Sequence, residues 1–240
     1  QTKYFREEFS FEEIKKWFDD LMEEYGKWAT FQCEMKNQRQ ASIKELGFPF
    51  EYRPGQKKLV SDVYRTIMRQ KLLFMQAPTG VGKTISTIFP AVKAVGEELA
   101  DRIFYLTAKT ITATVAKETF ALLEKNGYRA KTIQITAKEK LCLCDEMECN
   151  PVNCPYAKGH FDRVNDAVFD LLCRCEMIER DDILSQADRH TVCPFELCLD
   201  TASWCDNIIC DYNYVFDPNV YLKRFFQEGI KGDYIFLIDE

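Results

Sequence analysis

The sequence lacks any apolar run long enough to cross a membrane. No stretch approaches 18 consecutive apolar residues, which excludes a membrane-spanning helix. The N-terminal segment QTKYFREEFSFEEIKKWF is aromatic and rich in charged residues and has no apolar signal-peptide core, so a cytoplasmic protein is expected. An initiator Met is also missing, and we expect further residues upstream of Gln1.

An excess of positive charge is lacking too. The 32 Lys and Arg residues face 38 Asp and Glu residues, for a formal net charge of −6. This argues against a protein that simply coats nucleic acid, but not against DNA held in a local basic groove, because counterion release depends only on the contacting face. With 46% hydrophobic and 29% charged residues, the 240-residue chain has the composition of a folded α/β protein.

Cysteine pairs of the C-x-x-C type, common in structural zinc sites, are absent. The chain nevertheless holds 11 cysteines, crowded between residues 142 and 210. An odd total without a secretory signal favours a bound metal or free thiols over disulfides. Thiolates bind iron–sulfur clusters and zinc alike, but the absence of C-x-x-C pairs favours iron–sulfur.

Short apolar segments alternate with helical patterns along most of the chain. This is the pattern of an α/β fold whose parallel sheet is covered on both faces. Residues 4–47 have helical spacing of apolar residues, with Ser10 as N-cap. Further helices are predicted over residues 56–70, 84–99 and 110–125, and strands over residues 72–76, 102–107, 132–135, 207–211 and 234–239.

The alternation breaks between residues 138 and 205, where the cysteines lie and no convincing strand occurs. A cysteine-rich segment between strands of one sheet is best interpreted as an insertion, with little continuous apolar pattern of its own. The predicted organisation is a helical lead-in (1–47), the first part of the α/β domain (48–137), the insertion (138–205) and a return to the α/β domain (206–240).

A phosphate-binding loop is the strongest local signal. The pattern follows a predicted strand and opens a predicted helix, which is the context that such loops require. Gly80 and Gly82 would let backbone N–H groups surround the phosphates, Lys83 would reach the β- and γ-phosphates, and Thr84 would bind Mg²⁺. The loop consists of Ala77, Pro78, Thr79, Gly80, Val81, Gly82, Lys83 and Thr84.

The C-terminal segment YIFLIDE supplies carboxylates for the same site. Four apolar residues precede Asp239, which places its carboxylate at the carboxyl end of a strand, where open α/β sheets bind ligands. Asp239 would hold Mg²⁺, and Glu240 would polarise the attacking water.

A third candidate contact with the nucleotide lies upstream, at Arg53 and Gln56. The Gln56 amide can bond both the amino group and a ring nitrogen of adenine, and Tyr52 or Phe50 could stack on the base. The same residues also fit a helix N-terminus with Pro54 at its first position. Both interpretations can hold together.

These motifs occur in the order of superfamily 2 helicase motifs, and Ala77 at the first glycine position is common there. With KLC (140–142), ECNPVNCPYAKG (148–159), VCPFE (192–196) and DYNYVFDP (211–218), residues 48–240 resemble the XPD/DinG family of iron–sulfur DNA helicases. The resemblance implies that the α/β domain is a RecA-like motor domain ending in the Walker B strand. It also implies a [4Fe–4S] cluster in the insertion. Its ligands would be Cys142, Cys149, Cys154 and Cys193, with Cys144 a competitor for Cys142.

The remaining cysteines are then interpreted as ordinary buried or surface thiols: Cys33, Cys173, Cys175, Cys198, Cys205 and Cys210. Residues 1–47 resemble the helical lead-in of bacterial members that carry an N-terminal nuclease-like domain.

The resemblance implies an ATP-dependent DNA helicase that moves 5′ to 3′ on single-stranded DNA, with ATP, Mg²⁺ and the cluster as cofactors. The alternatives are a motor accessory to a nuclease and a nucleotide-dependent remodeller that does not unwind DNA. Thr107, Lys109 and Thr110 are candidate contacts to the DNA backbone. Tyr212 and Tyr214 could stack on a base or belong to the core.

Overall fold

The protein is described here by a computed structural model that covers residues 3–78 and 80–239. In this part of the chain, 15 elements follow one another. In chain order they are α1 (Phe11–Glu45), α2 (Gln56–Met68), α3 (Lys83–Gly96), β1 (Arg102–Leu106), α4 (Thr110–Lys125), β2 (Thr132–Gln134), α5 (Lys138–Leu141), α6 (His160–Arg174), β3 (Met177–Ile178), α7 (Arg180–His190), α8 (Pro194–Ala202), β4 (Asn207–Cys210), α9 (Asn213–Phe216), α10 (Lys223–Phe226) and β5 (Tyr234–Ile238).

The strands form one parallel sheet in the order β3-β2-β4-β1-β5. β1 lies between β4 and β5, with Leu106 opposite Cys210 on one side and Ile238 on the other. Because all strands point the same way, the phosphate loop region and the ends of β1 and β5 can meet at the carboxyl edge of the sheet. The predicted α/β class and parallel sheet are confirmed.

Both faces of the sheet are covered, since side chains alternate along each strand. Ile103 and Tyr105 face a core built with α3 and α4, whereas Phe104 and Leu106 face a second core built mainly with α6, α7 and α8. The sheet is therefore the middle layer of three. No described helix is both long and apolar enough to cross a membrane.

The long helix α1 has a different environment at each end. Ser10 is its N-cap, as predicted, and forms a capping box with Glu13. The N-terminal half exposes its apolar side chains, whereas the C-terminal half packs on the domain through Ile43. The Arg39 guanidinium also forms an ion pair with Asp206, which precedes β4. The helix starts at Phe11, so the prediction that residues 4–10 are helical is wrong.

The predicted strand over residues 72–76 is wrong. This segment forms no strand, and most of its apolar side chains are open to solvent: Leu72 is 88% exposed and Phe74 94% exposed. An apolar run becomes a strand only when a neighbouring strand offers hydrogen bonds. No backbone hydrogen bond joins residues 72–76 to a strand among the described residues.

The prediction for residues 138–205 needs two corrections. First, a two-residue strand occurs there, because Met177 and Ile178 pair with β2. Second, the segment does have a continuous apolar core: α6, α7 and α8 bury residues such as Leu171, Ile183 and Leu197 against the sheet. The longest stretch of this segment without a helix or strand is residues 142–159. Most of this segment is therefore the layer that covers one face of the sheet.

Candidate functional site

The phosphate loop leads directly into α3, as the sequence predicts. Gly80 and Gly82 have positive φ angles of 83° and 78°, and Gly82 is the N-cap of a helix that starts at Lys83. The left-handed conformation favours glycine at both positions. The first amides of α3 have no partners within the helix and are aligned with its dipole, so they can bind an anion. Ala77 and Pro78 precede this turn, while Thr79 lies outside the described residues.

Gln56 and Arg53 contact the loop from α2 and the segment before it. Gln56 is buried; its Nε2 donates to the Val81 carbonyl (3.2 Å) and its Oε1 accepts from the Arg53 amide (3.1 Å). The Arg53 guanidinium donates to the Gly80 carbonyl. Both polar groups of Gln56 are thus engaged within the chain. A Cβ at Gly82 would lie 2.7 Å from Gln56 Nε2, so the close contact also needs glycine there.

The segment before α2 differs in detail from the prediction. Gly55, with φ of 80°, is the N-cap of α2, so Pro54 precedes the cap and does not occupy the first helical position. Tyr52 stacks on Phe48 with ring centroids 4.3 Å apart. Phe50 is exposed. Stacking of either ring on a base stays a prediction.

Tyr105 of β1 lies between the two predicted magnesium ligands. Its side chain is 2% exposed, and its hydroxyl donates a hydrogen bond to Asp239 Oδ2. Burial and the Asp239 carboxylate raise the pKa of the Tyr105 phenol, whereas the nearby Thr84 side chain lowers it. The sequence does not single out Tyr105, because one tyrosine within a strand carries no distinguishing pattern.

Asp239 is fixed at the end of the sheet by its main chain as well, since its amide donates to the Leu106 carbonyl at 2.9 Å. The structure therefore brings Thr84 and Asp239 to a single phenol group. Glu240, the predicted water-polarising residue, lies outside the described residues.

Five cysteines line one small cavity formed by residues 142–159 and the start of α8. They include the four predicted ligands and the competitor Cys144, whose Sγ lies 3.8 Å from that of Cys154. Burial, with the neighbouring thiols of Cys154 and Cys142, raises the pKa of Cys144 to about 11. The five are Cys142, Cys144, Cys149, Cys154 and Cys193.

The cavity also contains groups that favour thiolates. Cys193 is the N-cap of α8, where the amides of Phe195 and Glu196 lower the pKa of its thiol although burial raises it more. Lys138 lines the same cavity, and the nearby Cys149 thiol raises the pKa of its ammonium group.

The thiols are not arranged around a single ion. Tetrahedral zinc with bonds of about 2.3 Å would hold its sulfurs about 3.8 Å apart. Among residues 3–78 and 80–239, no group of three or more His, Cys, Asp or Glu side chains is placed to hold one metal ion. The Cys144–Cys154 pair has the spacing that zinc needs, but the set as a whole does not.

The remaining cysteines lie apart from this cavity, in environments of two kinds. Cys33 and Cys173 are exposed and Cys175 is half-buried, whereas Cys198, Cys205 and Cys210 are buried in the core.

Comparison with known proteins shows the family. The sequence model of the DEAD_2 family matches residues 112–240, just over half of the chain. The chain belongs to the DEAD_2 family. It is also 20% identical over 221 residues to regulator of telomere elongation helicase 1 of Rattus norvegicus, a match that covers 72% of this chain and 17% of that protein.

Two solved structures share the fold of this DEAD_2 chain. An XPD helicase structure has a TM-score of 0.55 at 18% identity, over 79% of this chain and 32% of that one. A truncated XPD has a TM-score of 0.51 at 17% identity, over 77% and 52%. The predicted resemblance to XPD-like helicases is confirmed at the level of family and fold. The chain spans between 17% and 52% of the length of these three relatives.

The predicted DNA contacts of the DEAD_2 chain differ in accessibility. Lys109 and Thr110 are exposed at the start of α4, but Thr107 is buried and its hydroxyl accepts a hydrogen bond from the Lys109 amide. Tyr214 packs against the core, where burial raises its pKa to about 12. Tyr212 is exposed.

Proposed function

We propose that this chain is the nucleotide-binding part of an ATP-dependent DNA helicase. The observation that carries the proposal is the meeting of Thr84, Tyr105 and Asp239 at the carboxyl edge of the sheet, beside the helix that starts at Lys83. A hydroxyl and a carboxylate together form an oxygen-rich site of the kind that Mg²⁺ prefers. Membership in the DEAD_2 family and the likeness to helicases support it.

Each residue has a role in this proposal. The Gly80 and Gly82 turn and the α3 amides surround the phosphates, and Lys83 neutralises the β- and γ-phosphates. Thr84 and Asp239 hold Mg²⁺, and Glu240 polarises the attacking water. Arg53 and Gln56 hold the loop through hydrogen bonds to its Gly80 and Val81 carbonyls. A movement of the loop on nucleotide binding would therefore also move the start of α2.

Lys83→Ala tests the nucleotide site. Loss of a charge-assisted contact worth about 1.5–3 kcal/mol should weaken binding of a fluorescent ATP analogue about 10–100-fold, and abolish ATP hydrolysis in the full-length protein. Lys125→Ala, at an exposed position on α4, is the matched control. Equal affinity of the Lys83 variant and this control would contradict the site assignment.

We also propose that the five-cysteine cavity holds a [4Fe–4S] cluster. Four thiolates are its usual ligands, and five thiols line this cavity. A four-iron cube holds its thiolates farther apart than a single ion does. The ligands would be Cys149, Cys154, Cys193 and either Cys142 or Cys144. The cytoplasm, where thiols stay reduced, suits such a site.

The fit has one steric limit. As the side chains stand, the cavity has room for only about 20 Å³, close to one water molecule. The thiols must therefore move apart to accept a cluster. Residues 142–159 can do so at small cost, because they have no helix, no strand and few buried side chains. When bound, the group would cross-link these residues to α8, as metal sites do in small domains.

The DNA-dependent part of the proposal has its own test. The full-length protein should hydrolyse ATP faster when single-stranded DNA is present, move 5′ to 3′, and lose DNA affinity as salt rises. An ATPase rate that DNA does not change would favour a nucleotide-dependent remodeller. If the protein cleaves DNA but does not unwind it, the accessory motor of a nuclease is favoured.

A further inference from the structure

The first turn of α6 contacts both segments that carry the later cysteines. The Arg163 guanidinium donates to the carbonyls of Lys158 (2.7 Å), His190 (2.9 Å) and Thr191 (2.6 Å). The Lys158 amide in turn donates to the Cys154 carbonyl (3.2 Å). One side chain thus joins the turn after Cys154 to the turn before Cys193.

His160, at the start of the same helix, contacts Cys193 itself. Its Nδ1 accepts a hydrogen bond from the Cys193 amide at 3.2 Å, and the side chain is 4% exposed. Because Nδ1 accepts, it carries no proton, and the ring proton must be on Nε2. Nε2 is buried without a hydrogen-bond partner and faces Asp200 Oδ2 at 3.8 Å. The other oxygen, Oδ1, accepts from Arg224 at 2.6 Å.

These contacts form a chain from Arg224 through Asp200 and His160 to the Cys193 main chain. α8 begins immediately after Cys193 and contains Asp200. The imidazole therefore links the first residue of this helical segment to a carboxylate near its other end. His160 has no role in the proposed nucleotide site, which lies at the carboxyl edge of the sheet. Its contact is with the Cys193 amide.

We propose that His160 is a positioning residue for Cys193: it holds the amide of that residue away from the metal so that the thiol alone faces the other cysteines. The Asp200 carboxylate, 3.8 Å from Nε2, is too far for a hydrogen bond and acts on the imidazole through its charge. The inference rests on the proposed metal site. Without His160, the Cys193 amide loses its acceptor and becomes free to turn towards a cluster sulfur. Hydrogen bonds to sulfur stabilise the added electron, so they alter the reduction potential of a cluster.

The test compares His160→Leu with His160→Asn in the anaerobically purified full-length protein. Asn carries an oxygen that can replace Nδ1 as acceptor, whereas Leu carries none. The readouts are iron per chain, the rate of iron release to a chelator, and the reduction potential. In the Leu variant we expect iron release at least about fivefold faster and a more positive potential, with both returning towards wild type in the Asn variant.

The outcomes separate this inference from the metal proposal. If the wild type contains iron and the Leu variant has the same release rate and potential, the role of His160 is overturned and the metal proposal stands. Equal impairment of the Asn and Leu variants would also overturn it. A wild type without any metal would remove the metal proposal and this inference together. If the Leu variant does not fold, Asp200→Ala replaces it, and wild-type release and potential in that variant would refute the positioning chain.

Discussion

Tyr105→Phe isolates the hydroxyl that joins Asp239 to the phosphate-loop helix. The ring is buried and phenylalanine fills nearly the same volume, so the substitution creates no large cavity. It removes one hydrogen bond to a carboxylate, worth about 1.5–3 kcal/mol. Asp239 is half-buried and can regain water, so we expect the lower part of that range, about 1.5 kcal/mol, as the loss in the free energy of unfolding.

The functional effect should appear in the magnesium dependence. If the phenol holds the Asp239 carboxylate ready for Mg²⁺, its loss should raise the Mg²⁺ concentration for half-maximal binding of an ATP analogue about tenfold. At saturating Mg²⁺ the affinity for the analogue should return close to that of the wild type. Fluorescence titrations at a series of Mg²⁺ concentrations measure both quantities.

Tyr128→Phe is the matched control. Tyr128 is also buried, but its hydroxyl bonds the Asn207 amide (3.2–3.3 Å) and not a carboxylate. It should lose about 0.5–1.5 kcal/mol of stability in urea denaturation without any change in magnesium dependence. The reasoning fails if Tyr105→Phe binds Mg²⁺ as well as the wild type does. Tighter binding would mean that the phenol competes with the metal for Asp239.

Three further predictions follow from other contacts. Arg39→Met should lower the free energy of unfolding by about 2–3 kcal/mol, because Asp206 loses a mostly buried partner. Lys15→Ala, which breaks an exposed ion pair, should lower it by less than about 1 kcal/mol. Urea denaturation of both variants measures the difference. Serine at Cys149, Cys154 or Cys193 should remove the broad absorbance near ~400 nm and the iron, about four atoms per chain. Serine at the exposed Cys33 or Cys173 should change neither. Colourless wild-type protein with one zinc would refute the cluster. Of the competing pair, serine at Cys142 should bleach the protein and serine at Cys144 should not, and the opposite result would assign the ligand to Cys144.

The elements that sequence analysis predicts well are those with a local cause. The helix over residues 110–125 matches α4 at both ends, and Ser10 caps α1 through Glu13, three residues away. The strand over residues 72–76 fails because strand formation depends on a partner that is distant in sequence. The same reason hides β3, which consists of two residues and exists only through its bonds to β2.

The candidate site divides along the same line. The phosphate loop and Asp239 belong to motifs with fixed spacing, so their positions could be predicted. Tyr105 could not, because its role depends on which strand lies beside β5. The cysteine spacing indicated a shared site, but only the folded chain brings Cys144 against Cys154 and His160 against Cys193.

The position of β5 has a practical consequence for handling the protein. It is an outer strand of the described sheet, paired with β1 on one side only, and it leaves Phe236 and Ile238 partly open to solvent. Unpaired backbone groups beside apolar side chains are a template for strand addition by another molecule. We therefore expect the isolated chain to associate as its concentration rises, in a manner that static light scattering detects. Lysine at Ile238 should suppress this association, since charge on an edge strand disfavours such pairing.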